Sequence, residues 1–344
     1  MLAAFGLMRI TYPRLSALVL GCTLTLLLLS LLELVMGFFL KDGPNYDRVY
    51  SPDLWSELDA TGSRRPLPST AYHVRSVDKH TGTLIYDVTY TTDEYRRRVT
   101  PVAFPERRDR HVLIFTCSFA YGEGVQANET LPYVIGALAP RYTPYNYGFH
   151  GLSPLEMLAK VGSGTLPQEV SQRKGVFLYV YLDDHVRRTI GTMRYTLWGP
   201  RPYYEITETG EVVRNGMYET GRPWTTRLYL LLGKSHILRY FNVDIPRHIT
   251  TDHLAYFVRL LAKTRDVYLQ QFQGSEFYVV IYPDQTKFYQ ELFRGLTLLK
   301  IPYLDYRDLF TRGDPSYTLL GDGHPTAKAW SLIGRRVVDD LRLE

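Results

Sequence analysis

HVLIFTCSFAYGEGV, residues 111–125, holds an apolar run that breaks at Thr116-Cys117-Ser118 into a turn of small residues and glycines. A continuous apolar stretch bounded by turn signals marks a strand buried on both faces, as in a parallel sheet covered by helices. Outward from it, 176–182 (VFLYVYL) and 277–282 (FYVVIY) repeat the pattern, and 145–147 and 302–306 read as shorter strands. Between them, 131–138, 252–271, 285–299 and 327–343 have helical character. Strands alternating with helices predict an α/β domain with a doubly wound, mostly parallel sheet, whose sites gather at the carboxyl ends of the strands. Ser118 stands at such an end.

At 344 residues the chain is long enough for one large domain with appendages. Lys and Arg number 40 against 35 Asp and Glu, a net charge of +5. Without a long basic block or a nucleic-acid motif, nucleic acid is not an expected partner. The 28 tyrosines suit a sugar-binding surface and interior packing equally. The two cysteines, Cys22 and Cys117, imply no disulfide framework, and Cys117 reads as a small buried residue beneath the turn. No H-E-x-x-H, Walker loop or G-x-G-x-x-G after a strand is found, so no metal and no cofactor are expected.

Residues 15–40 are almost entirely apolar, broken by Glu33 and a few hydroxyls. As a helix the stretch spans ~39 Å at ~1.5 Å per residue, enough to cross a bilayer with tilt. No small-x-small exit follows it, so it reads as an uncleaved signal anchor behind a cytoplasmic tail, residues 1–14. Arg9 and Arg14 precede it, while Lys41, Asp42, Asp47 and Arg48 behind it roughly cancel. The positive-inside rule then places the rest outside the cytoplasm, in the periplasm if the cell is a diderm bacterium. Glu33, a turn or two from the outer end, is expected to reach the headgroups.

Residues 41–110 read as a linker and small β-rich segment, with a strand at 83–90. Arg96, Arg97, Arg98, Arg107, Arg108 and Arg110 are taken as a solvated basic face. Within the α/β domain, residues 111–344, an aromatic stretch at 187–250 reads as an insertion capping the site.

A serine hydroxyl becomes a nucleophile only when a base takes its proton and a third group holds that base in place. Near the carboxyl end lies Gly321-Asp322-Gly323-His324-Pro325. Asp322 and His324, two apart in an extended loop, allow the carboxylate to orient the imidazole. Ser118 is then the candidate nucleophile, His324 the base and Asp322 the orienter. The surroundings of Ser118, T-C-S-F-A, lack the G-x-S-x-G of an α/β-hydrolase elbow.

These segments resemble the SGNH/GDSL hydrolase superfamily of esterases and acyltransferases, from about Val112 to the carboxyl end with 187–250 outside the match. Thr116-Cys117-Ser118-Phe119 with Gly122-Glu123-Gly124-Val125 stands for the first block, Asn146, Gly148 and Gly151 for the second, and Asp322-Gly323-His324-Pro325 for the last. The resemblance implies a flavodoxin-like SGNH fold and an oxyanion hole formed by the amides of Ser118 and Gly148. The third block reads Tyr181-Leu182-Asp183-Asp184, which places Asp183 where the family has an oxyanion-binding asparagine. A carboxylate there would repel the developing oxyanion unless it is protonated or His185 substitutes for it. The implied activity is that of a membrane-anchored serine esterase or O-acyltransferase. It would act through an acyl-Ser118 on an acylated carbohydrate, first of all an acetylated one, or on a small acyl ester. The alternative is an inactive relative that binds a glycan or a partner in envelope polysaccharide assembly.

Overall fold

A computed structural model describes residues 13–40, 43–283 and 287–343 of the chain. Most of the expected cytoplasmic tail, together with Lys41, Asp42 and Gln285, lies outside the described residues.

Helix α1 (Pro13–Phe39) opens the described chain and is followed by strands β1 (Tyr46–Ser51), β2 (Ser56–Leu58), β3 (Arg64–Pro66), β4 (Ala71–Asp78) and β5 (Leu84–Thr91). Next come β6 (Arg110–Phe115), α2 (Ser118–Tyr121), α3 (Leu131–Leu138), β7 (Tyr142–Asn146), α4 (Pro154–Gly162) and α5 (Leu166–Glu169). After β8 (Lys174–Tyr181) run α6 (Asp184–Ile190), α7 (Met193–Thr196), the strands β9 (Pro202–Ile206) and β10 (Val212–Met217), α8 (Tyr218–Gly221), α9 (Pro223–Leu232) and α10 (His236–Tyr240). The chain ends with α11 (Thr251–Gln271), β11 (Glu276–Ile281), α12 (Tyr289–Leu298), β12 (Tyr303–Asp305) and α13 (Ala327–Leu341).

Five strands form one parallel sheet in the order β12-β11-β8-β6-β7. Counted along the chain this is the flavodoxin-like doubly wound order, whose switch point falls between β6 and β8. Alternation explains why these strands are apolar throughout. Val112 and Ile114 of β6 face a core with Ile135 of α3 and Trp330 of α13, while Leu113 and Phe115 face a second core with Val258 and Leu261 of α11.

The β-rich segment is a three-stranded antiparallel sheet, β1-β4-β5, not a loose linker. Its inner face, with Tyr72, Val74, Tyr86, Val88 and Tyr90, packs on Tyr121, Phe149 and Leu152 beside the turn that carries Ser118. The cap expected at 187–250 begins later than the sequence suggested, because α6 continues to Ile190. Beyond it the insertion consists of the β9–β10 hairpin and helices α7 to α10. His253 closes the N-terminal box of α11, accepting from the Thr250 amide at 3.1 Å, which is cap chemistry.

Residues 14–39 make one helix long and apolar enough to cross a membrane. Three of its hydroxyls bond back within the helix: Thr23 donates to the Val19 carbonyl at 2.8 Å, Thr25 to Gly21 at 2.9 Å and Ser30 to Leu26 at 2.8 Å. Glu33 does not point to open solvent. It accepts from the His236 amide at 2.6 Å and from the Ser235 hydroxyl, docking α1 against the start of α10.

Candidate active site

β6 delivers Ser118 to the first position of α2, where its amide, like any at N1, has no intrahelical acceptor. The loop before α13 brings His324 to it, and His324 Nε2 lies 2.7 Å from Ser118 Oγ. On the other side of the ring Nδ1 meets Asp322 Oδ1. With Nδ1–H given to Asp322, Nε2 carries the lone pair and the serine hydroxyl donates to it. All three sequence candidates converge at the carboxyl end of the sheet, at the wall of a cavity of about 440 Å³.

Behind Asp322 lies an ion network that sequence reasoning missed. Arg48 of β1 donates from Nη2 to Asp322 Oδ2 at 2.9 Å and reaches Glu123 Oε1 from Nη1 at 2.8 Å. His150 Nδ1 stands 2.6 Å from Glu123 Oε2, and the Tyr86 hydroxyl donates to Glu123 Oε1 at 2.8 Å. Both carboxylates are fully buried. Burial alone would raise the Glu123 carboxyl, but the His150 and Arg48 charges hold it well below the usual carboxylate range. Burial pulls His324 down as well. The hydrogen bond and charge of Asp322, helped by Glu123, outweigh it and leave the imidazole above its ordinary 6.5.

The expected solvated arginine face is partly an internal brace. Arg98 is buried and donates to the carbonyls of Tyr121 (2.9 Å), Gly122 (2.6 Å) and Val125 (2.7 Å), tying down the turn after Ser118. Arg97 and Arg108 are buried too, on the carbonyls of Glu169 (2.8 Å) and Gly136 (2.9 Å). Carbonyl oxygens that the turn and loops leave unpaired inside the protein need donors, and these guanidiniums supply them.

Two expected oxyanion groups are not at the cavity. The Gly148 amide donates to Asn146 Oδ1 at 3.0 Å. A Cβ at Gly148 would come within 2.7 Å of the Tyr121 amide nitrogen, so this glycine permits close packing of two backbones. Asp183 accepts from the Tyr181 hydroxyl at 2.9 Å and the Lys287 amide at 2.8 Å. The chain turns helical at this point, which swings neighbouring side chains about 100° apart, and it is Asp184 that lines the cavity. His185 is buried beneath, its Nδ1 2.6 Å from the Tyr179 hydroxyl, and burial first, then Arg188, lowers its pKa well below the ordinary value.

Gly151, Arg188, Arg201 and Trp198 line the cavity in their place. Arg188 donates to the Leu152 carbonyl at 3.2 Å and pairs with Asp184 at 3.4 Å. Burial pushes the Cys117 thiol up, but the Arg188 charge and hydrogen bond more than reverse this and lower it. Arg201 holds Glu156 and the Gly151 carbonyl. Little in the sequence could have found these residues. The one local signal is S-P-L-E at 153–156, a capping box with proline at N1 that announces α4 and hence Glu156.

No family model matches the chain, and no curated protein matches it. Among the solved structures similar to it are three esterase-type proteins. One is a member of the lipolytic protein G-D-S-L family from Veillonella parvula, 11% identical, covering 67% of this chain and 97% of its own, at TM-score 0.40. Another is an acetyl xylan esterase, Est2A, from Butyrivibrio proteoclasticus, 8% identical, covering 71% and 64%, at TM-score 0.39. The third is a carbohydrate esterase family 2 enzyme with a carbohydrate binding domain from Corynascus thermopiles (Myceliophthora fergusii), 13% identical, covering 88% of each chain, at TM-score 0.40. Likenesses this loose carry no function; the geometry of the site must do so.

Proposed function

We propose that this protein is a membrane-anchored, outward-facing serine esterase or O-acyltransferase of the SGNH type. The observation that carries the proposal is the unbroken line from Ser118 Oγ through His324 to buried Asp322 at the mouth of a cavity. As Ser118 Oγ attacks an acyl carbonyl, its proton passes to His324 Nε2, and Asp322 stabilises the imidazolium that forms. The tetrahedral oxyanion is met by the amides of Ser118 and Gly151, neither of which is hydrogen-bonded to another described residue, with the Arg188 guanidinium nearby. Arg188 supplies the positive charge that offsets the missing family asparagine. Collapse expels the alcohol, protonated by His324, and leaves the acyl group on Ser118. Water or a sugar hydroxyl, deprotonated by His324, then takes the acyl group and restores the serine. Exposed Trp198 at the cavity rim offers a ring face for a sugar, which favours an acylated carbohydrate.

A fluorophosphonate should label the full chain at Ser118, and Ser118→Ala should remove both the label and hydrolysis of an activated acetyl ester. Labelling or hydrolysis that survives Ser118→Ala would refute the serine mechanism. A wild type that neither labels nor turns over any acetylated glycan or ester would favour a noncatalytic glycan-binding protein.

A further inference from the structure

Helix α9 carries an apolar stripe that no other described residue covers. Trp224, Leu228 and Leu231 follow i, i+4, i+7 spacing and are 78%, 51% and 66% exposed. Phe241, just after α10, is 64% exposed, and the basic residues Arg227, Lys234 and Arg239 flank the patch. Such a face on a small helix is costly in water, and aromatic with basic residues beside it is the composition of a membrane–water boundary.

Its position relative to α1 decides the occupant. A run of about 20 apolar residues from Leu15 spans the ~30 Å hydrocarbon core, which puts Glu33 at the outer edge of the bilayer. Glu33 is bonded to the His236 amide and the Ser235 hydroxyl, and a Cβ at Gly37 would sit 2.7 Å from His236 Nδ1, so α10 lies directly against α1 at that depth. Only Gly233, Lys234 and Ser235 separate α9 from α10. The carboxyl end of the stripe, at Leu231, is therefore held near the level where the headgroups begin.

We propose that the exposed face of α9 and the start of the segment after α10 is a membrane-docking surface whose occupant is the outer leaflet of the bilayer that carries α1. This rests on α1 being a membrane span. Docking has a consequence for the cavity: a Cβ at Gly233 would meet the Leu197 side chain at 2.6 Å, and the next residue, Trp198, lines the cavity. The surface is thus continuous with the cavity rim and holds it close to the bilayer, suited to a substrate presented at the membrane surface.

The test uses the full chain in phosphatidylcholine nanodiscs, with and without lipid brominated near the headgroup end of its chains. Trp224 is one of four tryptophans, and Trp224→Phe isolates its contribution. Bromolipid should quench the wild type, and the quenched fraction should fall about twofold or more in Trp224→Phe if an interfacial indole provides most of it. Equal quenching of both chains, once incorporated, overturns docking while leaving the anchor intact. Failure of the chain to incorporate at all overturns the anchor instead. A nitroxide at Leu231→Cys in a Cys22→Ser background gives a second readout. Collisions with oxygen favoured over a water-soluble nickel chelate support docking, and the reverse overturns it, including the case of a protein partner covering the patch.

Discussion

Arg48 holds the Asp322 carboxylate from the far end of the chain, 274 positions away, and bridges it to Glu123. Nothing local in D-R-V-Y-S could announce that role, because both partners are brought in by the fold. Removing one member of a buried ion network leaves the others charged and unpaired, at about 3 to 5 kcal/mol. Arg48→Met should therefore destabilise the protein, and loosened Asp322 should lower turnover about 10- to 100-fold. A pH profile separates orientation from mere damage. In the proposed mechanism the base must be neutral, and His324 sits above its ordinary 6.5, so the acid limb of kcat/KM should lie above 6.5 as well. The Arg48 charge lowers that pKa, so Arg48→Met should move the acid limb to higher pH, whereas Arg48→Lys keeps the charge and should leave the limb in place despite slower turnover. An acid limb that does not move in Arg48→Met would show that Arg48 acts on stability alone. The stability linkage has the opposite sense. A raised imidazole contributes stability that is complete below its unfolded value and is lost as pH rises through the folded one, so the protein is less stabilised by His324 in the pH range where it is active.

At the scale of elements, the turn from β8 into α6 decides which of two adjacent aspartates lines the cavity. Motif spacing placed Asp183 in the oxyanion site, but Asp183 is spent on the Tyr181 hydroxyl and the Lys287 amide. Asp183→Asn should accordingly leave turnover of an activated acetyl ester within about twofold of wild type. A rise of an order of magnitude, measured beside an inactive Ser118→Ala, would return Asp183 to the oxyanion site. The same contrast explains what was legible. β6, β8 and β11 are continuous apolar runs because helices cover both faces, so period and length sufficed to find them, with the adjacent Ser118 and the Asp322–His324 pair. Gly148 was misjudged because a sequence does not show that a glycine amide is already taken by Asn146. The arginines at 97, 98 and 108 were misjudged because a charged cluster looks solvated until the carbonyls it satisfies are assembled around it. Helix α4 was overlooked although its capping box is plain, because its apolar period is interrupted by Glu156, which is turned inward to Arg201.

For the whole molecule, the antiparallel sheet links the apolar helix to the candidate site: α1 ends at Phe39, β1 starts at Tyr46, and Arg48 already touches Asp322. At ~3.3–3.6 Å per extended residue the connection spans at most about 25 Å, so the site cannot stand far from the bilayer if α1 lies in one. The flanking charges predict an orientation. Arg9 and Arg14 lie before the apolar helix, while behind it Arg48 is spent in the buried network and Asp47 faces Lys79 at 3.5 Å. The positive-inside rule acts on these charges as the chain inserts, before the fold pairs them, and predicts a cytoplasmic amino end. Protease added to sealed, right-side-out vesicles should digest the domain after residue 40 and leave a short amino-terminal fragment with the membrane. Complete protection until detergent is added would reverse the topology, moving the cavity and the α9 stripe to the inner face and with them the class of acyl acceptor the site can reach.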